Sequence, residues 1–265
     1  MSVSPPVALS IAGSDPSGGA GIQADLKTFA ARGVYGMAVI TALTAQNTRA
    51  VTGVVGVDGD FIRQQIRTVF DDILPHAIKV GMVGTAGIAS AVADGLDAFD
   101  GPIVVDPVMV ATSGAVLLAP DAEATLRERL VPRATLLTPN IPEARRLLGA
   151  EAPEAWAART GVALLLKDGH NDASVVSDRL VMPDGTEHWF RHPRIATRNT
   201  HGTGCSLSSA IAAELAGGVT LPQAVASAVE WLATVIADSA PHTLGGGHGP
   251  LLHGGAVRAR VSGTE

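Results

Sequence analysis

The 265-residue chain has one cysteine and one tyrosine, its aromatic content is 3%, and only 17% of its residues carry charge. One cysteine closes no internal disulfide, and the start Met1-Ser-Val-Ser-Pro-Pro6 lacks the basic and long apolar stretches of a secretory signal; a cytoplasmic protein is expected. No apolar run approaches the ~20 residues needed to span a bilayer. With 19 Lys and Arg against 25 Asp and Glu, a net charge of -6 and no basic cluster interleaved with aromatics, neither a membrane nor a nucleic acid is expected as partner. Motifs are missing as well. The eight histidines include no H-E-x-x-H pair or cysteine-histidine set, and His188 with His192 falls in a strand-and-turn pattern where i,i+4 spacing does not unite them, which argues against zinc. The glycine-rich segment near the N-terminus has neither the Walker spacing nor a clean G-x-G-x-x-G. Ser206, Ser208 and Ser209 stand in no G-x-S-x-G elbow.

What is present is a 46% hydrophobic composition, enough for a sizeable core, arranged as apolar strands alternating with amphipathic helices. Strands are predicted over 7–12, 37–43, 51–57, 77–80, 103–106, 135–138 and 162–166. The turn Pro183-Asp-Gly185 predicts a hairpin of 175–182 with 186–191. Helices are predicted over 21–33, about 60–70, 85–99, 121–130, 144–148, 155–160, 205–216 and 221–239. The alternation implies an α/β domain, one unit over 1–265, with a mainly parallel sheet covered by helices on both faces and ligands at the carboxyl ends of its strands.

Polar residues fall where that architecture puts a site. Asp15, Gln46, Asp106, Asn140 and Lys167 each follow an apolar strand closely, so the fold would gather them on one rim. Gln46 can donate to and accept from a heterocycle edge. Asp25 lies beside the apolar face of its helix, either aimed at the loops or simply favoured by the helix dipole. In Asn199-Thr-His-Gly-Thr-Gly-Cys205 two glycines lead into a helix start whose free amides suit an anion. The alternative is an ordinary glycine turn before a buried thiol. At such a start the thiol of Cys205 is expected to have a depressed pKa.

Five ordered segments resemble hydroxymethylpyrimidine/phosphomethylpyrimidine kinases of the ribokinase-like superfamily. They are Ala12-Gly-Ser-Asp-Pro-Ser-Gly-Gly-Ala-Gly-Ile-Gln-Ala-Asp-Leu-Lys-Thr-Phe29, Thr44-Ala-Gln-Asn-Thr48, Asp106-Pro-Val-Met-Val110, Thr138-Pro-Asn-Ile-Pro-Glu-Ala144 and His201-Gly-Thr-Gly-Cys205, and the likeness runs from about residue 7 to 240. The resemblance implies a ribokinase-like sandwich and two successive ATP-dependent phosphorylations, first of the hydroxymethyl group of 4-amino-5-hydroxymethyl-2-methylpyrimidine and then of its monophosphate, towards thiamin. By the same resemblance Gln46 hydrogen-bonds the pyrimidine, Asp25 lies near that ring, and Gly13, Met82 and Val108 complete the substrate slot. Asp106, Asn140 and Glu143 organise Mg²⁺ and the ATP phosphates, with Asp106 and Glu143 on the metal, in part through water. Lys167 neutralises phosphate charge, Gly202, Thr203 and Gly204 form the anion hole, and Cys205 takes the place of the base. A homodimer is implied too. Lys167-Asp-Gly-His170 departs from the family's Lys-Gly-Gly-His. A pyridoxal-type kinase is the rival reading, and a pyrimidine-binding protein without turnover is the second.

Overall fold

The computed structural model describes residues 4–169 and 173–254, so His170 of the Lys167-Asp-Gly-His170 segment lies outside the described residues. Nine strands form one sheet: β1 Val7–Ser14, β2 Tyr35–Gln46, β3 Val51–Gly56, β4 Ala77–Val80, β5 Ile103–Val105, β6 Leu136–Leu137, β7 Ala163–Leu166, β8 Val175–Val181 and β9 Glu187–Pro193. Their spatial order is β3-β2-β1-β4-β5-β6-β7-β8-β9. From β2 to β7 every neighbouring pair is parallel, while β3 at one edge and β8 with β9 at the other are antiparallel.

The central strands are apolar throughout because both faces are covered. Leu9 and Ile11 of β1, Ile78 and Val80 of β4, and Leu164 and Leu166 of β7 enter one core cluster; Ala8, Ala77, Ala163 and Leu165, from the alternate positions, enter the other. The first cluster is closed by α2 Gly59–Phe70, α3 Ala86–Gly95, α4 Pro120–Thr125, α5 Ile141–Leu148 and α6 Pro153–Thr160. The second is closed by α1 Gly21–Ala31, α7 Thr203–Ala216 and α8 Leu221–Ser239. Local signals place several starts: the Asp58 carboxylate accepts from the Asp60 amide, Thr85 Oγ1 accepts from the Ile88 amide, and Asn140 and Glu143 form a capping box.

Three expectations change. The helix read over 121–130 is α-helical only to Thr125, widens into a π turn over Leu126–Leu130 and closes with a 3₁₀ turn over Val131–Arg133, where Pro132 has no amide to continue an α ladder. β1 and β2 run on to Ser14 and Gln46, because the polar residues after the apolar runs still find ladder partners. The helix read over 85–99 stops at Gly95. Among the described residues no helix is long and apolar enough to cross a membrane.

Candidate active site

Parallel strands end on the same side, and the loops that leave them line one cavity of about 770 Å³. Asp15 follows β1, Gln46 ends β2, Met82 follows β4, Asp106 follows β5, Asn140 caps α5 after β6, and Lys167 follows β7. Gly13, Val108, Glu143 and the Gly202–Cys205 turn complete the expected residues that line it. Asp25 does not.

Two glycine loops interlock at the centre. The carboxylate of Asp15 is 2% exposed; its Oδ1 accepts from the Ser17 amide and hydroxyl, and its Oδ2 from the amides of Gly19 and Ala20. His201 Nε2 lies 2.8 Å from the same Oδ2, so the N-terminal loop is tied to the turn that starts α7. Burial acts to raise the Asp15 pKa, yet the bonds from His201 and Ser17 hold it below its ordinary value. Gly202, at φ +84°, could carry a Cβ only 1.8 Å from the Gly19 carbonyl oxygen. Glycine is required there because two backbones touch.

At the mouth of that turn stand paired charges. Lys167 Nζ donates to Asp106 Oδ1 at 2.9 Å, and Thr138 and Ser208 hydroxyls also donate to the Asp106 carboxylate. A Cβ on Gly204 would lie 3.5 Å from Lys167 Nζ and 3.6 Å from Asp106 Oδ2, so the bare Gly204 backbone borders both charges. Burial works to raise Asp106, but Lys167 and Lys79 keep it below the usual carboxylate range. Burial likewise works against the Lys167 charge, and Asp106 and Glu143 more than restore it, raising its pKa.

Asn140 and Glu143 are committed to each other's backbone: Asn140 Oδ1 accepts from the Glu143 amide and Glu143 Oε2 from the Asn140 amide, each at 2.9 Å. Burial raises Glu143 above its ordinary pKa, and neighbouring Asp106 adds to the rise. Among the described residues no group of three or more His, Cys, Asp and Glu side chains is poised around a metal ion. Two partnered carboxylates that repel each other fit a divalent ion arriving with a nucleotide's phosphates rather than a caged resident ion.

On the other side Gln46 Oε1 accepts from Thr44 Oγ1, and its Nε2 lies 3.5 Å from His201 Nε2. Gly13 leaves room for Met82, whose Sδ would be 3.1 Å from a Cβ at that position. Half-buried Val108 completes an apolar slot with one amide at its edge.

Two expectations need correction. Asp25 is wholly buried beneath the site, its oxygens taken by Ser10 Oγ, Ser209 Oγ and both contacts of Lys79 Nζ at 2.8 and 2.9 Å. The helix face that carries it turns inward to this lysine rather than to the cavity. Cys205 is the third residue of α7 and its sulfur faces the Gly21 amide at the start of α1, yet its pKa is not depressed: burial pushes the thiol up to about 11, against the opposing pull of Lys79. Sequence reasoning passed over Lys79 and His201. The available signal for Lys79 was a charge inside a strand covered on both faces, which demands a buried counter-charge.

An α/β sheet of this order, with a glycine-rich helix start facing strand-end carboxylates and a lysine, is that of a small-molecule kinase of the ribokinase-like class. The family model for phosphomethylpyrimidine kinase matches residues 15–252, and the chain belongs to that family. It is 50% identical over 257 residues to the hydroxymethylpyrimidine/phosphomethylpyrimidine kinase of Rhizobium meliloti, covering 93% of this chain and 96% of that one. Among solved structures it resembles the phosphomethylpyrimidine kinase of Clostridium difficile, with 40% identity, TM-score 0.76 and coverage of 87% and 99%. It also resembles the pyridoxal kinase of Staphylococcus aureus in complex with AMP-PCP and pyridoxal, with 30% identity, TM-score 0.84 and coverage of 97% and 96%.

Proposed function

We propose that the protein is an ATP-dependent kinase that phosphorylates the hydroxymethyl group of 4-amino-5-hydroxymethyl-2-methylpyrimidine and then the monophosphate, yielding the pyrophosphate used in thiamin biosynthesis. One observation carries the reading: the Gly202–Cys205 turn, with Lys167 and Asp106 beside it, opens onto the same cavity as the apolar slot edged by Gln46. Phosphoryl transfer depends chiefly on alignment and charge stabilisation, which this arrangement supplies. Asp106, Asn140 and Glu143 would hold the nucleotide with its Mg²⁺, which when bound neutralises phosphate oxygens. Lys167 and the amides of Gly202, Thr203 and Gly204 take the charge of the transferring group. Cys205 stands as base for the hydroxyl.

A free thiol and ATP as donor suit the cytoplasm. A homodimer is part of the reading; Leu43 and Val55, paired across β2 and β3 at the sheet edge, offer an exposed apolar face for it. The test is incubation with MgATP and, separately, the pyrimidine alcohol, its monophosphate and pyridoxal, with products identified by mass. Both pyrimidines are expected to gain one phosphoryl group. Turnover of pyridoxal alone would replace this reading with the pyridoxal kinase suggested by the Staphylococcus aureus likeness, and no turnover at all would leave a binding protein. With the alcohol as acceptor, Cys205→Ser is expected to lower turnover sharply and leave pyrimidine affinity nearly intact; near-normal turnover would remove the base assignment.

A further inference from the structure

Beneath the cavity floor lies a charged pair that the reading above does not use. Lys79, on β4, and Asp25, on α1, are both wholly buried, and two hydroxyls besides the lysine satisfy the carboxylate. One of those hydroxyls belongs to Ser209, one helical turn beyond Cys205 on the same face of α7. Lys79 itself reaches the cavity lining, and a Cβ at Gly81 would stand 2.8 Å from its Nζ. A glycine keeps that ammonium in place.

On this geometry, and resting on the kinase reading, we propose that the Lys79–Asp25 pair is a positioning element for Cys205, needed for phosphoryl transfer to the alcohol and dispensable for transfer to the monophosphate. The two acceptors differ in whether the attacking oxygen carries a proton. In the first transfer the hydroxyl oxygen bonds to the γ-phosphorus of ATP, and the bond to the β–γ bridging oxygen breaks with its electron pair leaving on ADP. The hydroxyl proton passes to the Cys205 thiolate, which later releases it to water. In the second transfer the attacking oxygen belongs to a phosphate monoester whose second pKa is about 6, so above neutrality it arrives already ionised and needs no base. The charges that face Cys205 are Lys79 from β4, Asp25 from α1, Asp106 after β5 and Lys167 after β7. Lys79 is the strongest of the influences favouring thiolate and the Gly21 amide adds to it, while Asp25 opposes it less strongly, so the pair as a whole favours the thiolate.

The test neutralises both partners together, Lys79→Met with Asp25→Asn, since removing one would strand a buried charge. The two acceptors are then compared in parallel across pH. Turnover of the alcohol at pH 7.5 should fall at least about tenfold, part of what a general base contributes, with KM little changed and the rise of rate with pH displaced upward. Turnover of the monophosphate should stay within about threefold, which also reports that the variant is folded. Equal losses with both acceptors, no loss with either, or a greater loss with the monophosphate would overturn the proposal. Cys205→Ala, which leaves the buried pair untouched, gives a second reading: it should lose the alcohol reaction selectively, and equal loss of both again overturns the proposal. Wild-type protein that phosphorylates neither pyrimidine would defeat the kinase reading itself, a result separable from any of these.

Discussion

Replacing Gly202 by alanine tests whether the turn before α7 is a built part of the site, and Gly218 provides the control. The two glycines have nearly the same backbone, φ +84° and +83°. A Cβ at Gly218 meets nothing within 4 Å, so Gly218→Ala carries only the strain of a left-handed alanine, about 1–2 kcal/mol. At Gly202 the same strain is joined by a Cβ 1.8 Å from the Gly19 carbonyl oxygen and 2.9 Å from its carbon. Gly19 must retreat by roughly 1 Å to relieve contacts of that kind, and it carries one of the amides that hold Asp15 and, through it, His201. Overpacking of this sort adds about 1–3 kcal/mol. At about 2–4 °C per kcal/mol for a chain of this size, Gly218→Ala should melt roughly 2–8 °C below wild type and Gly202→Ala lower still. A loop displaced by ~1 Å should also cost on the order of 10²-fold in turnover, with both pyrimidine acceptors alike, whereas Gly218→Ala should keep its activity. Thermal melts and initial rates decide it. If Gly202→Ala melts with Gly218→Ala and turns over within about threefold of wild type, the interlocked loops do not hold the site.

Two pH-dependent outcomes follow from burial. Alkylation of Cys205 by iodoacetamide should be about 100-fold slower at neutral pH than that of an ordinary thiol, and should climb tenfold per pH unit until about 11; a plateau near pH 8.5 contradicts the buried setting. His253 packs behind α7 with its Nε2 2.8 Å from Ser206 Oγ, and burial lowers its pKa from 6.5 to about 4. The folded chain therefore favours neutral imidazole, so this contribution to stability is present above pH 6.5 and is lost as pH falls towards about 4, by ~3 kcal/mol. Urea melts of wild type and His253→Gln should diverge across that window; parallel pH profiles would refute the assignment.

The sheet and most helices were legible because the strands are short apolar runs, the turns carry glycine or proline, and the caps sit where the hydrophobic period changes. The rim was legible for the same reason: a polar residue just past an apolar strand has one place to go in a parallel sheet. What escaped depends on depth rather than order. Asp25 read as an early-helix acid because its partner Lys79 is 54 residues away, in a strand whose neighbours gave no hint of charge. A depressed thiol pKa at Cys205 was one of two readings because a helix start is local and visible, whereas burial comes from the tertiary fold and raises the thiol instead. Both outcomes have one cause, since Asp25 and Lys79 lie wholly buried beside a thiol that lines the cavity above them. A thiol so reluctant to ionise is a poor base for an alcohol, and on the proposal above the buried Lys79, paired to a carboxylate that two hydroxyls also satisfy, is what favours its thiolate. On the reading proposed above, the same floor serves the second acceptor without adjustment, because a phosphate brings its own ionised oxygen and asks of the site only alignment and positive charge.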